Sequence, residues 1–253
     1  MIPADPTTVA IAGDWHANVN WAKHAITTAA RRGAEAIVQA GDFGMLPGPF
    51  VKQYLDELDE TLSIHQLHLL WVDGNHEDHA SLEAWPVRDG VHPIRERITH
   101  LPRGYRWSWS GKTWLALGGA VSVDRAHRSP GLDWWPDEAI SDSDVARSIS
   151  PGPADVMISH DSPAGGRVLD EWLGVNGFRL SEQLQDDCDA NRARLRKVVD
   201  AVQPRLLVHG HYHWRYRDRI GVTAVEGLDC DGDKVLRNVI LVDASSLTVR
   251  DII

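Results

Sequence analysis

The residues able to do chemistry fall in five short polar segments: Gly13-Asp14-Trp15-His16, Gly41-Asp42, Gly74-Asn75-His76-Glu77, Ser159-His160-Asp161 and Gly210-His211-Tyr212-His213. Carboxylate, imidazole and amide side chains together suit borderline divalent cations such as Mn²⁺, Fe²⁺ or Zn²⁺, whereas Ca²⁺ prefers a cage of oxygens. Taken singly, an Asp or His is more often a cap or a surface residue than a ligand. Taken jointly, Asp14, His16, Asp42, Asn75, His160, His211 and His213 make metal binding the leading reading. A glycine beside most of them lets the backbone turn sharply, so that short side chains converge. In His211-x-His213 an extended backbone would send both rings to one side.

These segments need elements that deliver them to one place. Residues 7–12 (TTVAIA), 36–40 (AIVQA) and 67–72 (LHLLWV) read as buried strands ending at Gly13-Asp14, Gly41-Asp42 and Asp73-Gly74-Asn75. Helical stripes fall between them, one from Trp21 to Arg32 with Asn20 as N-cap and Gly33 as the stop, the next at Phe50, Tyr54, Leu55, Leu58 and Leu62 after Pro49. Such a βαβαβ order implies parallel strands with ligand sites beyond their carboxyl ends. Residues 98–101, 105–110 and 113–117 read as an antiparallel meander, and 120–153 as a surface excursion with a short helix near 136–148. A strand at 155–159, a helix over 180–202 ended by Pro204, and strands at 205–208, 219–226 and 236–242 complete the chain. The expected fold is α/β, two facing mixed sheets flanked by helices, as a single domain over 1–253.

Composition limits the function classes. Hydrophobic residues make up 43% and charged residues 25% of 253, an ordinary globular balance. No apolar run is long enough for a membrane span, and the N-terminus lacks the basic start of a signal peptide. Cys188 and Cys230 have no metal or redox spacing, which with these features predicts a cytoplasmic protein. A net charge of -10 disfavours extended nucleic-acid binding, leaving a small substrate as the expected partner.

The order D-x-H, G-D, G-N-H-[DE], lone H and G-H-x-H resembles the calcineurin-like metallophosphoesterase superfamily, over residues 9–216. The stretch GGAVSVDRAHRSPGLDWWPDE is similar to one in a bacterial and phage subgroup of small phosphoesterases. The resemblance implies two divalent metals, Mn²⁺ first with Fe or Zn as alternatives. It puts Asp14, His16, Asp42 and His213 on one metal and Asp42, Asn75, His160 and His211 on the other, with Asp42 bridging. A hydroxide between the metals would attack phosphorus. His76 would protonate the leaving oxygen, its ring held and its pKa raised by a nearby carboxylate, Glu77 or Asp78 being candidates. Arg125 and Arg128 are candidate phosphate binders. Trp134-Trp135 reads either as a base-stacking wall or as packing, and His209, like His24, His65, His68, His79, His92 and His100, as structural.

Serine/threonine phosphatases of the superfamily carry Asp-Arg-Gly after the second motif, whereas Asp42 here precedes Phe43-Gly44-Met45. This favours a phosphodiesterase acting on small diesters such as cyclic nucleotides or other nucleotide esters. A phosphomonoesterase or nuclease is the alternative, and a non-catalytic metal-binding scaffold the reading from another class.

Overall fold

The computed structural model describes residues 2–177 and 179–252. In chain order the elements are β1 (Thr8–Ala12), α1 (Val19–Arg31), β2 (Ala36–Gln39), α2 (Phe50–Ile64), β3 (Leu69–Trp71), α3 (His79–Glu83), β4 (His92–Pro93), β5 (Ile98–His100), β6 (Arg106–Trp109), β7 (Lys112–Leu117), α4 (Asp142–Ile149), β8 (Val156–Ser159), α5 (Arg167–Asn176), α6 (Glu182–Val202), β9 (Leu206–His209), β10 (Tyr216–Ile220), β11 (Thr223–Gly227), α7 (Val235–Asn238), β12 (Val239–Asp243) and β13 (Val249–Asp251).

The strands form two mixed sheets, one in the order β13-β12-β1-β2-β3-β5-β4 and the other β10-β11-β9-β8-β7-β6. Each has a parallel centre, β1-β2-β3-β5 and β7-β8-β9-β11, edged by antiparallel strands. Alternate residues of the first sheet, among them Val9, Ile11, Val38, Leu70 and Val72, meet Trp107, Trp109, Trp114, Ile158 and Val208 of the second in the central core. Their neighbours Ala10, Ile37, Leu69 and Trp71 face α1 and α2, while Leu115, Met157 and Leu207 face α4 and α6. Burial on both faces is why these strands are apolar without alternation. The result is the expected layering, helices on two facing sheets.

Several local expectations change. Helix α1 starts earlier, capped by Asn18, whose side chain accepts from the Trp21 amide, and Asn20 lies inside it. The meander over 98–117 does not form: β5 pairs parallel to β3 in the first sheet, and only β6 and β7 make a hairpin, in the second. The single strand expected at 219–226 is the hairpin β10-β11, because the chain reverses at Gly221, whose φ is +57°. Residues 236–238 belong to α7 rather than to a strand, and α5, β4 and β13 lie where no element was expected. The stretch 120–153 is not all surface, since Ser122 and Glu138 are fully enclosed. No helix among the described residues is long and apolar enough to cross a membrane.

Candidate metal centre

The carboxyl ends of β1, β2, β3, β8 and β9 point to one side of the two sheets, and the five polar segments follow them. Asp42 lies at the middle. Its Oδ2 is 3.4 Å from His16 Nε2, and its Oδ1 is 3.4 Å from His160 Nε2 and accepts the His76 amide at 2.8 Å. Asp14 stands beside it, fully buried, with Oδ2 3.2 Å from His213 Nε2 and both oxygens 3.1 Å from the His211 amide. Asn75 Oδ1 is 3.1 Å from His160 Nε2, and the His211 ring packs 5.1 Å from that of His160. All seven expected ligands therefore reach one region. Among the described residues three trios bring ligand atoms within 4.8 Å of one another: Asp14-His16-His213, Asp14-Asp42-His160 and His16-Asp42-His76.

This convergence constrains the backbone. A Cβ on Gly74 would stand 2.1 Å from Asp42 Oδ1, and one on Gly210 1.9 Å from Asp14 Oδ1, so both positions must be glycine for the carboxylates to fit. His16, Asp42, His211 and His213 have φ of 43°, 53°, 69° and 49°. The extended His211-x-His213 expected from spacing is thus corrected: each ring is aimed by a left-handed turn. Non-glycine residues held there cost on the order of 1–3 kcal/mol each and cluster at functional sites.

Charge fits cations. Burial alone would raise the pKa of Asp14 and of Asp42, yet His160 and the other imidazoles hold both carboxyls below the usual range, Asp42 far below. In return, against burial, Asp42 and Asp14 push His160 up to about 10 and His16 up to about 9, and Asp14 and Cys230 push His213 up to about 11. Two buried carboxylates thus demand positive charge, which protons or divalent cations supply. Burial pulls His211 down to about 4, so it presents a neutral imidazole. His160 donates from Nδ1 to the Ala40 carbonyl at 2.8 Å, which fixes the ring with Nε2 facing inward, the nitrogen a cation replacing its proton would take, and metal-binding histidines are oriented in the same way.

The surroundings of His76 differ from expectation. Glu77 accepts the amides of Phe43, Gly44 and Met45, and Asp78 caps α3, so neither carboxylate holds the His76 ring. Arg128 does: its Nη2 is 2.7 Å from Nδ1 and 3.1 Å from Nε2, with Asp124 pairing the same guanidinium. Burial and Arg128 hold His76 below its ordinary value, opposed by Asp42 and Asp124. Arg125 turns away to pair with Asp187 on α6. Trp135 packs edge-on against His79, while Trp172 and Tyr212 are the aromatic residues that line the adjoining cavity. His209 is buried, 2.6 Å from the Tyr216 hydroxyl.

Sequence reasoning missed three polar residues that hold the others. Asp231 is 2.7 Å from His16 Nδ1 and accepts the Asn18 amide group at 2.7 Å. Ser122 accepts from Asn75, and Glu138 accepts from Ser122. Ser122 and Asp231 lie in loops and Glu138 ends a single 3₁₀ turn, Pro136–Glu138, where spacing carries no signal. Beyond the ligands a cavity of about 550 Å³ runs outward past Val121, Val123, Trp172, Leu173 and Leu180.

With this geometry in place, comparison identifies the class: the calcineurin-like phosphoesterase profile matches residues 7–215, and the chain belongs to that family. It is therefore a hydrolase of phosphate esters, in a family that uses two divalent metal ions, and it presents Asp/His sites able to hold them. The fold is similar to TT1561 of Thermus thermophilus, with TM-score 0.59, 12% identity and coverage of 98% of this chain and 100% of that one. It is also similar to a dimetal phosphatase from Danio rerio, with TM-score 0.54, 14% identity and coverage of 94% and 92%. At such identities the likeness is one of fold. No curated protein sequence matches the chain.

Proposed function

We propose that the chain hydrolyses small phosphodiesters, such as cyclic nucleotides or other nucleotide esters, at a pair of divalent cations. The observation that carries this reading is the position of Asp42, one carboxylate turned to His16 with one oxygen and to His160 with the other. Asp14, His16, Asp42 and His213 would hold the first cation, and Asp42, Asn75, His160 and His211 the second. Mixed oxygen and imidazole donors favour Mn²⁺, with Fe or Zn as alternatives. Bound there, the cations would lower the pKa of water to near neutrality and neutralise phosphoryl oxygens.

The protein's own groups supply the rest. Arg128 donates to the His76 ring, to Asp124 and to the Asp133 carbonyl, and the N–H now on the ring would turn to a phosphoryl oxygen, an anion there favouring the protonated imidazole. His76, 3.9 Å from Asp42 Oδ2, would then give its proton to the departing oxygen. The cavity leading away past Trp172 and Leu173 has room for the second ester arm, which a monoester lacks. Phe43, which follows Asp42 where the phosphatases go on to an Asp-Arg-Gly, is buried against Trp15, Tyr54 and Trp71 and contributes nothing to phosphate binding. Acidic Asp124, Asp161 and Asp189 in the cavity wall support a small ligand rather than extended nucleic acid. Unpaired Cys188 and Cys230 support a cytoplasmic setting.

The test is hydrolysis of an aryl phosphodiester and the matching monoester by chelator-treated protein, with Mn²⁺ restored and Asp42→Ala as control. Mn²⁺-dependent turnover favouring the diester and lost in Asp42→Ala is expected. A monoester preference would replace the diester reading, and no turnover with Mn²⁺ bound would leave a metal-binding scaffold.

A further inference from the structure

The stretch 120–153 contributes a buried hydrogen-bond relay to the strand end that carries Asn75. Asn75 Nδ2 donates to Ser122 Oγ at 3.1 Å, and Ser122 gives its hydroxyl proton to Glu138 Oε2 at 2.7 Å and its amide proton to Glu138 Oε1 at 2.7 Å. Asn75, Ser122 and Glu138 are at most 3% exposed, so water cannot substitute for any of these bonds. A hydroxyl has one proton. With that proton committed to Glu138, Ser122 Oγ can only accept from Asn75, which seats the amide NH₂ against it and leaves Oδ1 facing His160 Nε2 at 3.1 Å. An Asn turned by 180° would set its oxygen against the Ser122 lone pairs and its NH₂ toward the cation position.

Arg103 clamps the relay from behind. Its guanidinium pairs with Asp73, two residues before Asn75, at 2.6 Å, and donates to the carbonyls of Asp137, Glu138 and Ala139 at 2.9, 2.8 and 2.7 Å. The strand end and the segment carrying Glu138 are thus fixed to one planar group.

We propose that Ser122 is a positioning residue that selects the metal-binding face of the Asn75 amide, with Glu138 orienting its hydroxyl. The proposal rests on the reading of Asn75 as a ligand of the second cation. It implies that the stretch 120–153 completes the metal centre and does not merely cover it.

The experiment is titration of chelator-treated protein with Mn²⁺ by calorimetry, in the wild type and in Ser122→Ala, Ser122→Thr, Glu138→Gln and Asn75→Ala, with thermal unfolding of each. Ser122→Ala is expected to keep the first Mn²⁺ and weaken the second by about 10–100-fold, the usual effect of losing a group that orients a ligand. Ser122→Thr, which keeps the hydroxyl, should restore it. Glu138→Gln, which keeps the shape and frees the hydroxyl proton, should weaken the second site alone even if Ser122→Ala folds poorly. Unchanged second-site affinity in both Ser122→Ala and Glu138→Gln, with Asn75→Ala impaired, would overturn the proposal while leaving Asn75 a ligand. Unchanged affinity in Asn75→Ala would remove the ligand reading and the proposal with it.

Discussion

Gly74→Ala isolates the steric cost of bringing Asp42 into the centre. The added Cβ would lie 2.1 Å from Asp42 Oδ1 and 2.3 Å from Asp42 N, and the second of these is backbone, unable to rotate away. Ordinary contact begins near 3.4 Å, so the turn after β3 and the turn after β2 must part by more than about 1 Å. A misplacement of about 1 Å at reacting groups costs on the order of 100-fold in rate. Overpacking of this kind also costs about 1–3 kcal/mol of stability. Gly174→Ala, in the interior of α5 with nothing within 4 Å, is the control, because there the same methyl group should stabilise by about 0.5–1 kcal/mol. The assays are kcat/KM on an aryl diester, Mn²⁺ titration and thermal unfolding of both variants. Gly74→Ala with unaltered kcat/KM and two Mn²⁺ bound as tightly as in the wild type would refute the argument that Asp42 needs this glycine.

Asp231→Ala removes the partner of His16 Nδ1 and should weaken Mn²⁺ binding about 10–100-fold by calorimetry, without the collapse expected from Asp42→Ala. His76→Ala should keep both metals and cost about 10²–10⁴-fold on an alkyl diester but far less on an aryl diester with a good leaving group; equal losses on the two would sink the acid role. Trp114→Ala, in the core between the sheets where Trp107 and Trp109 pack on it, should lose about 3–5 kcal/mol in denaturant unfolding and leave Mn²⁺ stoichiometry at two.

What the sequence disclosed and what it withheld divide along physical lines. β1, β2 and β3 were legible because strands buried on both faces are continuous apolar runs, and the Asp or Asn that ends each run marks the sheet's carboxyl edge. α1 and α2 were legible through their one-sided stripes, with an error of register at the cap because Asn18 and Asn20 are equally good caps by type. Residues 98–117 were misassigned because alternation shows that a segment is a strand and says nothing about which sheet receives it. β5 completes the first sheet, and a short loop later β6 begins the edge of the second.

The convergence of the seven candidate ligands was legible for a related reason: each sits close to a strand-end turn and gathers with the others through the sheet topology. Their orienting partners are joined instead by bonds between loops. Ser122 is 47 residues from Asn75, and Asp231 is 215 residues from His16, so no local spacing encodes either contact. The same holds for Arg128, which replaces the carboxylate expected beside His76. A rule of neighbouring residues proposed Glu77, but that side chain is consumed by three amides of the turn after Asp42, the residue held at φ 53°. Glu77 therefore bears on the centre through the backbone of another segment. Motif and spacing in this chain point to the candidate ligands, His76 and Arg128, whereas Ser122, Asp124 and Glu138 of the stretch 120–153 become interpretable only once the sheets have brought that stretch against them.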